Sequence, residues 1–590
     1  MKKVSFWIAL AFNLSALAQQ PAGSVYHTPA EINGQLTSLA KSQPGLVTLH
    51  NLGKSFKGTD YQIIEISKKS ATDKKKNPAV LVVADLEGTA PLASEGALVL
   101  INELLKKPER FENLTWYVLA CGNPDGADRF FQKPLLVDGR NMRPWNDDMD
   151  EQTDEDGPED LNGDGFITQM RVKDPDGNYI IDDKDPRLMK RADPLKGEKG
   201  IYKLYPEGID NDGDGLYNED GPGGTNIGIT FPFLYGYNQP GTGAWSGSEP
   251  EILGLMKFMT AHPEIALTMT YGSSNWCLVP PKGGRKSAMS LTAIKLPPRY
   301  AQMLNADPDK TYSLEEVKEM LKATVPPGTT VDDAMVAGML DMGPVINPLE
   351  ADSKIYAAFS DKYKKYLKEK GWTSKRVDPQ REKDGTFELW SYFQLGLPSF
   401  SMDLWAMPKP KDSTKNVFMA YNDSILGGKG FVAWKEFNHP KLGKVEIGGN
   451  VPYADLLPPG KIDTLLNVQV PWIFELVKQI PELALGEVKV EAQGAGIYRV
   501  DAWISNNKQL PFPLAIGART KVPPPAIVTV TGKGITFISG RERTPFEGIN
   551  GNEQRKLTWI LKADNPTDVL VKVDPVNAYG SEKSIRLEGK

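Results

Sequence analysis

Cysteine and histidine are close to absent: the 590-residue chain holds two of the first and four of the second. Two cysteines, Cys121 and Cys277, cannot build a disulfide framework, and sequence alone leaves open whether they pair. His27, His50, His262 and His439 are a small stock, because imidazole is the commonest ligand of catalytic zinc and the commonest general base. None of them forms a His-x-x-x-His or His-x-x-Glu pair, so each reads as an ordinary surface or hydrogen-bonded histidine. Surplus positive charge is also missing. The formal net charge is −6, and the two lysines are the only charges in the first 18 residues, which leaves −8 on the rest; a nucleic-acid partner is not expected. No apolar run reaches the roughly 20 residues of a membrane-spanning helix, and the 55 Gly and 46 Pro follow no collagen-like period.

What is present is a chain long enough for more than one core, 40% hydrophobic and 24% charged. Residues 1–18 read as a signal peptide: Met1-Lys2-Lys3, an apolar run to Leu14, then Ser15-Ala16-Leu17-Ala18 in a small-x-small cleavage pattern. Export to the periplasm or beyond the cell is the expectation. Residues 28–42 carry apolar positions at helical spacing, 46–52 and 61–66 read as strands, 79–84 is a doubly buried strand, 91–105 a helix and 116–120 another buried strand. That alternation predicts an α/β core. Further helices are expected at 250–260, 314–323, 351–370 and 471–485, and strands at 265–271 and 399–405. From 487 to 590, short strands between turns predict a separate all-β sandwich.

An acidic, Gly-rich insertion at 146–224 has no hydrophobic period and reads as a long loop. Within it, Asp160, Asn162, Asp164, the Phe166 carbonyl and Thr168 occupy positions 1, 3, 5, 7 and 9 of an EF-hand-like loop. Position 12 is Arg171, so the usual bidentate ligand is missing. Asp210, Asp212, Asp214, the Leu216 carbonyl and Asn218 repeat the alternation, and 148–156 resembles a third loop that has lost its Asp-Gly centre. Hard oxygen donors at this spacing suit calcium in a structural role; the plain alternative is a pair of acidic surface turns.

Gly53-Lys54-Ser55-Phe56-Lys57-Gly58, Asn123-Pro124-Asp125-Gly126, Ser248-Glu249-Pro250-Glu251, the strand from Ser399 to Trp405, and Asn438-His439-Pro440 with Ile447-Gly448-Gly449, in that order, resemble the M14 zinc carboxypeptidases over about residues 25–485. Exported bacterial members with the same acidic insertion resemble it most. The resemblance implies a mixed β-sheet flanked by helices, a cleft at the strand C-terminal ends, and removal of C-terminal residues from peptides. It further implies one zinc held by a His-x-x-Glu pair and a later His, with water at an open position. Matching the motifs places Glu87 at the first His, Ala90 at the Glu and Tyr271 at the second His. The Asn-Arg pair that grips the substrate carboxylate falls on Gly228 and Ile229, neither of which supplies a bidentate fork. The carbonyl-polarising arginine is matched by Arg143 and the general base by Asp403, one methylene shorter than Glu. Asp403 reads either as that base or as a carboxylate ion-paired in a polar cleft.

The expectation is therefore a zinc-less pseudopeptidase that keeps a cleft for a peptide, glycan or protein ligand. One alternative is an active metallocarboxypeptidase with an atypical metal site, for instance a harder ion held by Asp85, Glu87 and Asp403. The other gives the β-sandwich the main role, in adhesion or assembly.

Overall fold

The computed structural model describes residues 25–68, 77–146, 152–281 apart from 216, 219 and 222, then 293–325, 331, 335–336, 340, 347–372 and 375–588. The signal segment 1–18, the start of the degenerate loop at 148–151 and Leu216 lie outside the described residues.

The core is a six-stranded mixed sheet in the order β1-β2-β4-β3-β9-β12. Its strands are β1 (Val47–Lys54), β2 (Asp60–Ile66), β3 (Ala79–Ala84), β4 (Thr115–Leu119), β9 (Ile265–Tyr271) and β12 (Ser399–Met402). β3 runs parallel to β4 and β9, and β12 parallel to β9, while the β1–β2 and β2–β4 pairs are antiparallel. The unbroken Ala-Val-Leu-Val-Val-Ala of β3 follows from burial on both sides: Val80, Val82 and Ala84 enter one core, Ala79, Leu81 and Val83 the other. The first face is covered by α1 (Pro29–Ser42), α2 (Pro91–Leu105) and later α7 (Glu350–Glu369), the second by α4 (Pro250–Ala261), while α8 (Phe387–Phe393) contributes to both cores. The short α3 (Pro124–Arg129) follows β4, capped by the Asn123 side chain. α2 packs so closely that a Cβ at Gly96 would lie 2.4 Å from Leu404 Cδ1.

A satellite core lies around the antiparallel pair β10 (Ile294–Lys295) and β11 (Thr311–Tyr312), with α5 (Pro298–Met303) between them and α6 (Leu314–Lys322) after. The acidic insertion is more ordered than its pattern predicts. It holds β5 (Gln169–Lys173), β6 (Tyr179–Ile181), β7 (Met189–Arg191) and β8 (Tyr202–Pro206). These join a late hairpin, β13 (Phe431–His439) and β14 (Gly443–Asn450), in a second six-stranded sheet, β13-β14-β5-β8-β6-β7. Arg171, at loop position 12, is a strand residue: its guanidinium forks onto Glu446 of β14 at 2.9 and 3.2 Å. Short strands paired with a segment far along the chain leave no local period to read.

α9 (Val417–Tyr421), α10 (Ile462–Gln469) and α11 (Trp472–Val477) complete this part. The last helix ends at Val477 rather than continuing to 485, because Leu483 already pairs with Asn506. Beyond it, β15 (Leu483–Gly494), β16 (Ile497–Asn506), β20 (Glu553–Ala563) and β18 (Ile535–Ser539) form one antiparallel sheet. β19 (Arg543–Phe546), β17 (Ala526–Gly532), β21 (Thr567–Asp574) and β22 (Ser581–Leu587) form the other, and Trp559 and the inward valines of both sheets make the core between them. The one helix here, α12 (Ala515–Thr520), docks on α7, whose buried Asp352 accepts the Ala515 and Ile516 amides at 2.8 and 3.0 Å. That carboxylate satisfies helix-end donors that would otherwise be orphaned. Cys121 and Cys277 are free thiols. Among the described residues no helix is long and apolar enough to cross a membrane.

Candidate functional site

The C-terminal ends of β3, β9 and β12 open into a cleft of about 380 Å³. After β3 the chain turns sharply at Asp85, held at φ 52°, and its buried carboxylate accepts the Ala90 amide at 2.9 Å. This turn lifts Glu87 into the cleft, where the Ser273 amide and hydroxyl donate to Glu87 Oε1 at 3.1 and 2.9 Å. Glu87 Oε2 is buried with no hydrogen-bond partner. Two further acids lie below it. Burial raises Asp85 to about 7, and Glu388, which accepts from Ser274, also to about 7, with Glu87 adding repulsion to both.

β9 decides what faces Glu87. Its alternation sends Leu267, Met269 and Tyr271 into the core under α2, where Tyr271 is fully buried. Tyr271, matched to the second His, thus lies in the core and does not line the cleft. The next residue, Gly272, is the one whose Cβ would meet both Glu87 carboxylate oxygens at 2.8 Å. Strand alternation was the sequence signal for this, since Tyr271 shares parity with two core residues. Ala90 lines the cleft with a methyl group.

Asp403, just past β12, also lines the cleft, and each of its oxygens already accepts a hydrogen bond from a neighbouring side chain. Asn275 Nδ2 donates at 2.5 Å, and Arg376 Nη2 donates to the other oxygen while Nη1 reaches the Asp403 carbonyl at 3.2 Å. Burial nonetheless raises Asp403 to about 6 against the pull of Arg376. Arg376 comes from a loop that no motif marks. Arg143 is not among the residues lining the cleft; its guanidinium lies 3.5 Å from Glu249, which also accepts from Asn141 and Ser248 at 2.7 Å each. Gly228 and Ile229 sit in a tight turn, Gly228 buried against the Leu86 carbonyl, and neither lines the cleft. All four histidines are engaged elsewhere: His27 with Glu95, His50 with Glu65, His262 with Glu264, and His439 with the Gly208 carbonyl.

Residues 32–406 match the zinc carboxypeptidase family. The chain belongs to the M14 zinc carboxypeptidases. Residues 482–586 match a domain of unknown function, DUF8731. Zinc carboxypeptidase A 1 of Drosophila melanogaster is 37% identical over 97 residues, 15% of this chain and 23% of that protein. A zinc carboxypeptidase of Simulium vittatum is 31% identical over 119 residues, 18% of this chain and 38% of that one, so the matches span well under half of these relatives. Bovine thrombin-activatable fibrinolysis inhibitor, solved with a tick carboxypeptidase inhibitor, aligns at a TM-score of 0.34 and 10% identity over 77% of this chain and 97% of that one. Carboxypeptidase A from Helicoverpa armigera aligns at 0.28 and 16% identity over 58% and 73%.

In this M14 chain, the one group of three or more His, Cys, Asp or Glu side chains with converging ligand atoms among the described residues is Asp210, Asp212 and Asp214, within 4.8 Å of one another. Asp85, Glu87 and Asp403 do not converge in that way. The two acidic loops are clamped crosswise. Glu207, just before the second loop, accepts the amides of Leu161, Asn162 and Thr168 in the first at 2.9, 3.1 and 3.1 Å. Asp156, just before the first, accepts the amides of Asn211 and Asn218 in the second at 3.1 and 2.8 Å. Both clamping carboxylates are fully buried. Asp160 turns onto its own loop, accepting from Gly163, Asp164 and Gly165, while Asn162 accepts from Asp164 and Asp164 from the Phe166 amide. The Lys441 ammonium lies 3.1 Å from Asp210.

Glu251, in the first turn of α4, is 1% exposed and neither carboxylate oxygen has a partner. Burial raises it from 4.5 to about 8, with Asp125 and Glu249 adding repulsion and Arg143 offsetting it. The fold therefore keeps a proton that the unfolded chain releases near pH 4.5, and stability falls between that pH and about 8. Glu251→Gln is expected to match the parent at pH 4 and exceed it by about 1–3 kcal/mol at pH 8.5 in urea unfolding.

Proposed function

We propose that this is an exported, zinc-less member of its family that binds a peptide or other ligand in the former catalytic cleft without hydrolysing it. The donor set carries the reading. Catalytic zinc takes three protein ligands and an open water position, whereas the matched positions offer one carboxylate, a methyl group, and either a core-facing phenol or a glycine. These residues do not fit zinc. Loss of the carboxylate clamp at Gly228 and Ile229, and the engagement of Asp403 by Arg376, point the same way. A carboxylate held in place by a guanidinium and an amide is less basic toward a water proton than the same group without those partners, and its position is fixed by them.

The test is metal quantification on the full chain combined with release of C-terminal residues from a peptide panel, with and without chelator. The expected result is less than about 0.1 zinc per chain and no release; stoichiometric zinc with chelator-sensitive release would overturn the reading.

The paired acidic loops are read as calcium sites of structural purpose, Asp160, Asn162, Asp164 and Thr168 in one, Asp210, Asp212, Asp214 and Asn218 in the other. The 1, 3, 5, 9 oxygen spacing supports this. The crosswise clamps imply that the two loops respond together, so chelation should lower the thermal midpoint in a single step of several degrees that added calcium reverses. A midpoint that ignores both would contradict it.

A further inference from the structure

The cleft walls carry charge of one sign. Glu87, Asp378, Asp403 and Asp455 line it, and among the described residues no Lys or Arg does. Arg376 answers Asp403 and Lys409 answers Asp378 from outside the lining, at 3.0 Å in the second case. No basic side chain among the described residues pairs with Glu87 or Asp455. Glu87 Oε2 is buried without a partner, and so is the hydroxyl of Tyr453, a cleft residue only 8% exposed. Trp405 forms an aromatic wall, its indole nitrogen fixed to the Asp455 carbonyl at 3.2 Å. Two carboxylates without a basic partner, an unpartnered hydroxyl and two aromatic rings around one cavity are complementary to an organic cation. Carboxylate and hydroxyl oxygens accept ammonium protons, and ring faces attract the charge and cover the alkyl stem.

We propose that the cleft binds a primary ammonium on a flexible chain, with the charge at Glu87 and the stem along Trp405 and Tyr453. The proposal rests on the reading of the cleft as a non-hydrolytic binding site, and it inverts the preference implied by a site for a terminal carboxylate. A lysyl side chain of a peptide and a free polyamine offer the same chemistry.

Calorimetric titration of the full chain with three probes tests it: tetralysine blocked at both ends, spermidine, and blocked tetraglutamate. Either cationic probe should bind at least tenfold more tightly than tetraglutamate, and the tighter of the two identifies the source. Glu87→Gln, which keeps the acceptor for Ser273, should weaken the cationic probe at least tenfold, and Trp405→Ala about fivefold or more, with unchanged far-ultraviolet circular dichroism. Equal affinity for tetraglutamate, no binding of any probe, or full affinity in both folded variants would overturn the proposal. The parent reading fails separately: chelator-sensitive trimming of an unblocked lysine peptide would refute the loss of hydrolysis whatever the titrations return.

Discussion

The triple variant Glu87→His/Ala90→Glu/Gly272→His should bind zinc at least about 100-fold more tightly than the parent, since it supplies three ligands around an open position. Its counterpart with Tyr271→His in place of Gly272→His should not. The difference comes from strand alternation: position 271 points beneath α2, and position 272 points at residue 87. Gly272 has no positive φ to defend, and the atoms its Cβ would meet are the tip of the side chain being replaced. Zinc titration against a chromophoric chelator, with the fold monitored in parallel, separates the two variants. If the Tyr271→His version binds and the Gly272→His version does not, the assignment of the cleft-facing position is wrong. Zinc binding without peptidase activity is still expected, because the base position remains engaged by Arg376 and, among the described residues, no arginine lines the cleft.

The second large effect concerns that engagement. Asp403→Ala should cost about 3 kcal/mol in denaturant unfolding, the low end for breaking a buried ion pair, because Arg376 keeps 17% of its side chain exposed. Asp403→Ala combined with Arg376→Met should recover all but about 1 kcal/mol, since the penalty comes mainly from stranding the guanidinium and the Asn275 amide. A general base held ready for catalysis behaves oppositely: its removal leaves stability unchanged or improves it. A stable Asp403→Ala variant would therefore reopen the catalytic reading of this residue.

Much of the fold was legible because the signals were local and strong. The six apolar residues of β3, the largely apolar run of α2 and the alternation in β16 each report burial that their own residues enforce. The insertion hid its strands because β6 and β7 are three residues long and β5 depends on β14, so no window carries the pattern. At the site, motif order picked out Glu87, Ala90 and Asp403, which line one cleft, and also Tyr271, which lies in the core, because motif matching has no sense of which face a residue occupies. Arg376 and Asn275 were out of reach: each acts on Asp403, from 27 and 128 residues away in the chain. Glu207 and Asp156 looked like more of an acidic tract, yet each holds the backbone of the opposite loop.

The partnership of β5 with β14 also sets a timetable. Arg171 and Glu446 are separated by 275 residues, and at about 5–20 residues per second of synthesis the strand waits on the order of 15–50 seconds for its neighbour. An unpaired edge exposed that long is an invitation to mispair. The crosswise carboxylates close over only 39 and 62 residues, a matter of seconds. The groups that form these clamps are therefore all present in the chain well before β14 is made.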